Sequence, residues 1–398
     1  MKANLNTFDL LDAYETSSPL FLAAPRHTLL TQGVRTVLEV EGGAGQWEGL
    51  PDRVRSLFTD AGVDDEGQPA MIVGALPFDE DLRARFVLPE KVRWAAPLHG
   101  SHVAARPVKE SGFAIRAVPH ASVYLTAVRE AVTRIRATDL NKVVLARSLE
   151  LTGASRVNVA RLVRNLARRN KGAYTFAVDL TEHADPASTR TSGLKRTLIG
   201  ASPELLVRRS KLDVLANPLA GSMPRAEAPA EDLRRARVLI GSQKDRREHA
   251  FAVSGVVEAL RPFCTDLLVP EGPGLLQTST MWHLSTQVRG RLRDPSTCAL
   301  TLATALHPTP AVCGTPSDEA MSTISDFEGF HRGFYAGLVG WSDATGDGEW
   351  IVTIRCAEVE DRLIRMFAGA GIVDGSQPED ELAETSAKFR TMLCALGM

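Results

Sequence analysis

The sequence predicts an α+β protein in which runs of short strands are separated by a few long helices. Strand-like segments follow one another through residues 1–120 and again from residue 197, without the strict strand–helix alternation of a doubly wound sheet. The 398 residues are 44% hydrophobic and 24% charged, so the chain can bury a large core. No low-complexity linker or repeat divides it. We therefore expect one domain over residues 1–398, with an N-terminal sheet portion at 1–120 and a core at 121–398.

Periodicity locates the elements of the first half. Apolar residues at helical spacing, Val128, Val132 and Ile135, predict one helix, and a β-branched run after Lys142 predicts a strand. The predicted elements are, in order, strands at 21–24 and 70–75, a helix at 124–136, a strand at 142–147 and a helix at 157–168.

The second half contains denser strand signals and two long helices. Turn residues at 343–348 between two apolar runs predict a β-hairpin, and Ser376 with Glu379 predicts a capping box, with Pro378 in the first turn of the last helix. The predicted elements are strands at 205–207 and 212–215, a helix at 231–260, the hairpin strands at 336–341 and 350–356, a strand at 363–368 and a helix from 376 to 396.

Composition excludes several classes of protein. The formal net charge is −2 and no long basic run occurs, so nucleic acid is not expected as a partner. The five cysteines are scattered without a CxxC pair, which argues against a disulfide framework or a zinc site and favours a reducing compartment. We find no signal-peptide pattern and no apolar run of membrane-spanning length. The expectation is a cytoplasmic protein with no membrane contact.

Two residues stand out as an acid and a base. Glu204 follows a tight turn between two apolar strands, and Lys142 opens an apolar strand. Burial raises the pKa of a carboxyl group and lowers that of an amine, so the pair could supply a general acid and a general base near neutral pH. The alternative for Lys142 is an edge-strand lysine whose amine extends to water. The alternative for Glu204 is a loop position without a role.

Carboxylates on two predicted helices could bind a hard cation. Glu381, Glu384 and Lys388 share one face of the last helix, and Glu248 lies on an earlier helix. Mg²⁺ is typically held by a few carboxylates together with water and substrate oxygens. Solvated ion pairs on helix surfaces are the alternative.

Three further features could contact an anion. His283 lies between a tryptophan and a leucine, which is equally typical of a core histidine. Arg355 ends an apolar run, where a charge needs an anionic partner. Gly369 and Gly371 flank Ala370 in a segment whose backbone N–H groups could approach a carboxylate.

Ordered motifs along nearly the whole chain carry a resemblance to a known family. They include 21–30, 142–147, 200–204, 218–222, 244–249, 282–284, 307–314, 353–355 and 368–373. In these motifs the chain resembles the chorismate-utilising enzymes, and within them the isochorismate synthases of siderophore pathways. The resemblance implies one large α+β domain of packed antiparallel sheets surrounded by helices in a pseudo-twofold arrangement. It also implies Mg²⁺ as the cofactor and chorismate as the substrate.

The resemblance implies a role for each candidate residue. Lys142 falls on the lysine that activates water for attack at C2 of chorismate, and Glu204 falls on the glutamate that protonates the departing C4 hydroxyl. Glu248 and Glu384 fall on the Mg²⁺ ligands, with Glu381 beside them. The residues implied to contact the substrate are Gly221, Ser222, His283, Ala311, Val312, Tyr335, Arg355, Gly369, Gly371 and Lys388.

Ala311 separates the subfamilies. Anthranilate, aminodeoxychorismate and salicylate synthases carry threonine at this position, whereas isochorismate synthases carry alanine. Val312 replaces a more usual leucine, and Tyr335 stands where siderophore-type enzymes often have Phe and salicylate synthases have Tyr. The expected activity is therefore that of an isochorismate synthase, with a salicylate synthase or a menaquinone-pathway isochorismate synthase as the alternatives. No glutamine amidotransferase subunit is expected, and the expected oligomeric state is a monomer.

Overall fold

The structure, a computed structural model, describes residues 7–43, 45, 47–62, 67–79, 81–98, 112–181 and 195–398. The helices in these ranges are α1 (Thr7–Asp12), α2 (Leu50–Ala61), α3 (Ala121–Ala137), α4 (Val159–Arg169), α5 (Pro229–Gly241), α6 (Gln243–Leu260), α7 (Ala299–Leu306), α8 (Ser317–Glu328) and α9 (Pro378–Leu396). Within the same ranges, no helix combines the length and the apolar composition needed to cross a membrane.

The strands of the first half are β1 (Leu20–Ala23), β2 (Thr28–Gln32), β3 (Thr36–Val40), β4 (Met71–Leu76), β5 (Ala84–Leu88), β6 (Lys91–Ala95), β7 (Ala114–Val118), β8 (Lys142–Thr152), β9 (Tyr174–Asp179) and β10 (Arg196–Ser202). Those of the second half are β11 (Leu205–Ser210), β12 (Asp213–Asn217), β13 (Leu219–Pro224), β14 (Cys264–Leu268), β15 (Gly274–Gln277), β16 (Met281–Ser285), β17 (Val288–Leu292), β18 (Gly314–Thr315), β19 (Leu338–Asp343), β20 (Gly348–Val352), β21 (Cys356–Glu360) and β22 (Leu363–Ile372).

The strands form two large sheets and one small sheet, and every pairing between them is antiparallel. The first sheet has the order β18-β8-β22-β21-β10-β9-β1-β2-β6, with β7 also pairing with β8. The second has the order β14-β17-β12-β11-β20-β19-β4-β5-β3, and the small sheet has the order β13-β16-β15. The predicted α+β class is confirmed.

The central strands of the first sheet are buried on both faces. Alternate residues of a strand point to opposite faces, so Leu22 and Leu198 join a core shared with Trp350 of the second sheet. Their neighbours Phe21 and Ile199 join a second core with α1, α4 and α9. Burial on both faces explains why these strands read as continuous apolar runs rather than as alternating patterns.

The prediction of a single helix over 231–260 is wrong, because this segment forms two helices, α5 and α6. Ser242 has an extended backbone, with φ −70° and ψ 118°, and its Oγ accepts a hydrogen bond from the Asp245 amide at 3.2 Å. A serine that caps the following turn in this way competes with helix continuation. The chain therefore begins a new helix, α6, after Ser242, and the axis of this helix determines where Lys244 and Glu248 lie.

Three other local predictions need correction. Arg355 does not lie in a strand: β20 ends at Val352, and Arg355 occupies the bend before β21 with φ 52°. The strand predicted over 363–368 continues to Ile372, so residues 369–371 lie inside β22, paired with β8. The capping box is absent, because the N-cap of α9 is Gln377 without a side-chain bond and the Ser376 hydroxyl instead accepts from the Val373 amide.

Candidate active site

A cavity that is partly open to solvent lies where the small sheet, the β8–β22 pair and α6 meet. It is lined by Val144, Glu204, Leu219, Ala220, Gly221, Ser222, Glu248, His283, Ala311, Val312, Tyr335, Ile354, Arg355, Gly369, Gly371 and Lys388. Most of the residues singled out from the sequence therefore meet around one space. Three of them do not line it: Lys142, Glu381 and Glu384 lie behind the wall, each in contact with a charged neighbour.

Lys142 is fully buried beside Glu248. Its Nζ lies 3.3 Å from Glu248 Oε1 and has no hydrogen-bond partner among the described residues. Gly371 on the adjacent strand makes this pair possible. A Cβ added to Gly371 would lie 2.1 Å from Glu248 Oε1 and 3.0 Å from Lys142 Cε. The snorkelling alternative for Lys142 is therefore wrong, since its amine stays inside the protein.

Glu204 is held at the junction of β10 and β11 with 3% of its surface exposed. Burial raises its pKa to about 7, although the Leu219 amide, Lys142 and Arg355 each act to lower it. The Leu219 amide donates to Oε1 at 3.4 Å. A carboxyl group with this pKa retains its proton near neutral pH and can donate it.

Arg355 and His283 form the side of the cavity nearest to Glu204. The Arg355 guanidinium donates to His283 Nε2 at 3.3 Å, because a guanidinium cannot accept. That bond leaves the imidazole proton on Nδ1. Burial, reinforced by Arg355 and Lys388, lowers the pKa of His283 well below its usual value, so the ring is neutral. Arg355 has no carboxylate partner in the described part of the chain and is available to an anion.

Helix α9 supplies a carboxylate and a cation. Lys388 Nζ donates to Glu384 Oε1 at 2.6 Å and to the Gly369 carbonyl at 2.7 Å, and Ser222 Oγ donates to the same Glu384 oxygen at 3.0 Å. Burial alone would raise the pKa of Glu384, but Lys388, Lys244 and Ser222 together lower it. Glu384 is therefore ionised.

Glu381, one turn earlier on α9, is bound by Lys244 from α6. The Nζ to Oε1 distance is 2.5 Å, and the glutamate side chain is 1% exposed. Burial and the neighbouring Glu384 raise the pKa of Glu381 to about 7, against the opposing effect of Lys244. The same lysine interacts electrostatically with Glu248 and Glu384.

The carboxylates fit a magnesium ion in donor chemistry. Across the described ranges, no three His, Cys, Asp or Glu side chains converge as a ready-made metal cluster. Mg²⁺ usually takes one or two protein carboxylates and completes its shell with water and substrate oxygens. Glu248, on the cavity wall, is a buried oxygen donor and Glu384, behind it, is a half-buried one, and each lies beside a lysine.

Two arginines that we did not single out from the sequence hold the site together. The Arg147 guanidinium donates to Thr385 Oγ1 at 2.8 Å and packs against Phe389, which fixes the rotation of α9. Arg332 donates to the Val144 and Val312 carbonyls at 2.7 and 2.8 Å and pairs with buried Glu328. The available signal was an arginine within an apolar strand for Arg147 and an i, i+4 Glu–Arg pair for Arg332.

The cavity wall also includes residues that sequence reasoning missed. Val144 lies two residues after Lys142 on the same strand, Leu219 and Ala220 precede Gly221, and Ile354 precedes Arg355. Adjacency to a predicted site residue was their only signal. Their apolar surfaces line the same space as Glu204.

The fold and this arrangement of residues agree with the family to which the chain belongs. Residues 90–397 match the family model described as chorismate binding enzyme. The chain is therefore a member of the chorismate binding enzyme family.

Within this family the chain is similar to isochorismate synthases. It is 49% identical to isochorismate synthase DhbC of Bacillus subtilis, over 98% of this chain and 96% of that one. It is 37% identical to the vibriobactin-specific isochorismate synthase of Vibrio cholerae, over 98% and 94%. A Bacillus anthracis crystal structure assigned as 2,3-dihydroxybenzoate-specific isochorismate synthase superposes with a TM-score of 0.89 at 45% identity, covering 98% and 99%.

Proposed function

We propose that this protein is an isochorismate synthase that isomerises chorismate to isochorismate. The similarity to DhbC at 49% identity supports the substrate and the reaction. The single structural observation that carries the chemistry is a buried carboxyl group of raised pKa, Glu204, in the cavity wall, with a buried amine, Lys142, behind that wall beside Glu248. These two groups can remove and deliver a proton in the same turnover.

The reaction needs a base and an acid at opposite ends of the substrate diene. Lys142 takes a proton from a water molecule as the water oxygen bonds to C2 of the ring. The two double bonds shift along the ring, and the C4–oxygen bond breaks as Glu204 protonates the leaving hydroxyl. One water enters and one leaves, so the composition of the substrate is unchanged.

The remaining cavity residues hold the dianionic substrate. The Arg355 guanidinium suits a planar carboxylate, and Lys388 provides a second cation. Ser222, Gly221 and the backbone of β22 at Gly369 and Gly371 bring polar groups to the same space. Neutral His283 faces the ring without adding charge, and Tyr335, Ala311 and Val312 supply the rest of the wall.

We further propose that Mg²⁺ is the cofactor, held by Glu248 and Glu384, with Glu381 close by. A bound Mg²⁺ would supply positive charge that fixes the ring carboxylate and lowers the cost of burying it. EDTA should therefore abolish turnover and added Mg²⁺ should restore it. Unchanged Mg²⁺ affinity in Glu248→Ala would remove that residue from the ligand set.

The second candidate function is salicylate synthesis, in which the same site goes on to eliminate pyruvate. Tyr335 favours it, because salicylate synthases have tyrosine at this position. Ala311 opposes it, because its methyl group cannot hydrogen bond to the ring or to a nucleophile as a threonine could. One such polar contact contributes on the order of 1 kcal/mol, enough to shift the partition between products.

Product analysis tests the proposal directly. Purified protein incubated with chorismate and Mg²⁺ should give isochorismate as the dominant early product, separated by chromatography at neutral pH. Ala311→Thr should raise the share of salicylate modestly. Salicylate and pyruvate as the main early products of the unmodified protein would establish the second candidate function instead.

The proposal extends to the biological setting. The names of the DhbC and vibriobactin-specific relatives support 2,3-dihydroxybenzoate siderophore synthesis rather than the menaquinone pathway. The five cysteines are free thiols, as expected in the cytoplasm. We propose a cytoplasmic monomer that acts on chorismate without an amidotransferase subunit, a membrane or nucleic acid.

A further inference from the structure

The charged groups around the cavity are arranged as pairs of a lysine with a glutamate. Buried His283 is neutral, and Glu204 retains its proton up to about pH 7. Of the other groups, four are acidic and four are basic. They are Asp245, Glu248, Glu381 and Glu384 against Lys142, Lys244, Lys388 and Arg355.

A site whose carboxylates already face lysines responds differently to one ion than to two. Under the proposed function, on which this inference rests, the substrate carries two negative charges and the cation two positive ones. Either ligand alone adds two charges to a region of low dielectric, whereas the two together add no net charge. The charge inventory therefore favours joint binding over binding of the cation alone.

Lys244 is the one lysine of the three that neither the reaction nor the substrate uses. It extends from the first turn of α6, and its Nζ donates a hydrogen bond to Glu381 Oε1 at 2.5 Å. It also interacts electrostatically with Glu248 and Glu384. Ser242 fixes its position by starting α6 at Gln243. Without Lys244, the three glutamates would present excess negative charge to an incoming cation.

We propose that Lys244 is an internal counter-ion that lowers the affinity of the empty site for a divalent cation and thereby couples cation binding to substrate binding. Lys244 acts through Glu381 and the field at Glu248 and Glu384, so it is a positioning residue and not a catalytic one. Such coupling is reciprocal: the substrate raises cation affinity by the factor by which the cation raises substrate affinity.

The test measures binding of Mn²⁺, used alone as the probe, by isothermal titration calorimetry without substrate. Lys244→Met should bind Mn²⁺ about tenfold more tightly than the unmodified protein, the order expected for removing one charge from a partly buried site. Glu381→Gln should bind it more weakly, because Lys244 is then unpaired. The double variant has the original net charge and should return to nearly the original affinity.

Matched controls separate charge from structure. Lys244→Arg keeps the charge and should leave Mn²⁺ affinity nearly unchanged, as should Arg247→Met, which removes an exposed cation from the same helix. Thermal unfolding confirms that each variant is folded. If Lys244→Met does not fold, the Mn²⁺ affinity of Glu381→Gln is compared with that of Lys244→Arg, and this comparison tests the proposal. The proposal would be overturned if folded Lys244→Met did not bind Mn²⁺ more tightly than the unmodified protein. It would also be overturned if the Mn²⁺ affinities of Lys244→Met and Glu381→Gln changed in the same direction.

The coupling itself is measured in Glu204→Gln, where turnover is blocked. Chorismate should strengthen Mn²⁺ binding when Lys244 is present and strengthen it less when Lys244→Met is added. Equal strengthening in both backgrounds would overturn the coupling. The titrations without chorismate do not depend on which product the enzyme makes, so failure of the proposed reaction would leave their result interpretable.

Discussion

At Glu204, burial outweighs three nearby cations, and the pKa rises to about 7. A general acid works only in its protonated form, which for Glu204 is present below about pH 7 and lost above it. We therefore predict that kcat/KM falls as pH rises through about 7, on the alkaline limb of its profile. Steady-state rates between about pH 5.5 and 9 measure this limb.

Glu204→Gln provides the companion measurement. The amide keeps the shape of the side chain but has no acidic proton, so turnover should drop by about 10²–10⁴-fold and the limb near pH 7 should disappear. Activity within a few-fold of the unmodified protein, or an unchanged limb in the variant, would reject Glu204 as the acid.

To test Lys142, methionine is a better replacement than alanine. The site is fully buried, so alanine would leave a cavity that costs about 2–5 kcal/mol of stability. Lys142→Met fills the space without the amine, and we predict loss of turnover with chorismate binding retained in calorimetry. It also leaves Glu248 without its neighbour at 3.3 Å.

The double variant Lys142→Met with Glu248→Gln controls for that unpaired charge. It should recover thermal stability lost by the single variant, since no buried carboxylate is left without a cation, but it should not recover turnover. Near-normal turnover in Lys142→Met would show that another group is the base.

At the scale of elements, the side chains of Glu248 on α6 and Lys142 on β8 lie against β22 and leave no room for a side chain at Gly371. A Cβ there would lie 2.1 Å from Glu248 Oε1. We predict that Gly371→Ala lowers kcat by about 10²-fold, because small displacements of reacting groups have effects of that size. Steady-state kinetics and thermal unfolding should show a loss of activity larger than the loss of stability.

Gly241→Ala is the matched control for this substitution. Gly241 ends α5, and a Cβ added there would have no neighbour within 4 Å. The control should retain full activity. Equal kinetics in the two alanine variants would mean that the Lys142–Glu248 pair can shift without consequence.

Elements whose signals are local could be predicted from the sequence. The hairpin around 343–348 and the strand that starts at Lys142 form as expected, because turn residues and β-branched runs act over a few residues. The break at Ser242 was missed, because a helix interior tolerates serine and only its cap bond to the Asp245 amide reveals the new start. The bend at Arg355 was missed for a similar reason, since a positive φ is rarely expected of arginine.

The residue types of the candidate site were easier to predict than the contacts between those residues. The residue types required for acid, base and cation were visible in the sequence, and most of them line one cavity. The lysine partners of Glu248 and Glu381 were not, because Lys142 with Glu248 and Lys244 with Glu381 are far apart in the chain. Such pairs arise from the packing of distant strands and helices, which single-sequence patterns do not encode.

At the scale of the whole molecule, a buried carboxyl group outside the cavity lies between the two large sheets. Glu349 of β20 is 1% exposed, 3.6 Å from His27 Nε2 and 3.7 Å from Arg208 Nη1. Burial raises its pKa from 4.5 to about 7, although Arg208 and Arg26 act to lower it. It holds a proton in the folded state that the unfolded chain releases above pH 4.5.

This difference predicts a pH-dependent stability. The contribution of protonated Glu349 is fully present below about pH 4.5 and is lost as pH rises to about 7, a change of about 3 kcal/mol. Glu349→Gln should therefore gain stability relative to the unmodified protein between about pH 5 and 8, as measured by urea unfolding at both values. A difference between the two proteins that is independent of pH would contradict the assignment.

The position of β22 in the first sheet has a consequence for how the protein is made. β22 pairs with β8 on one side and β21 on the other, although both precede it in the chain. During synthesis on the ribosome, a nascent chain that has emerged only as far as β21 carries two apolar strands with unpaired edges, which are templates for aggregation. The site around Lys142 also cannot assemble before α9 has been synthesised. Until β22 emerges, those two edges stay open to pairing with other chains.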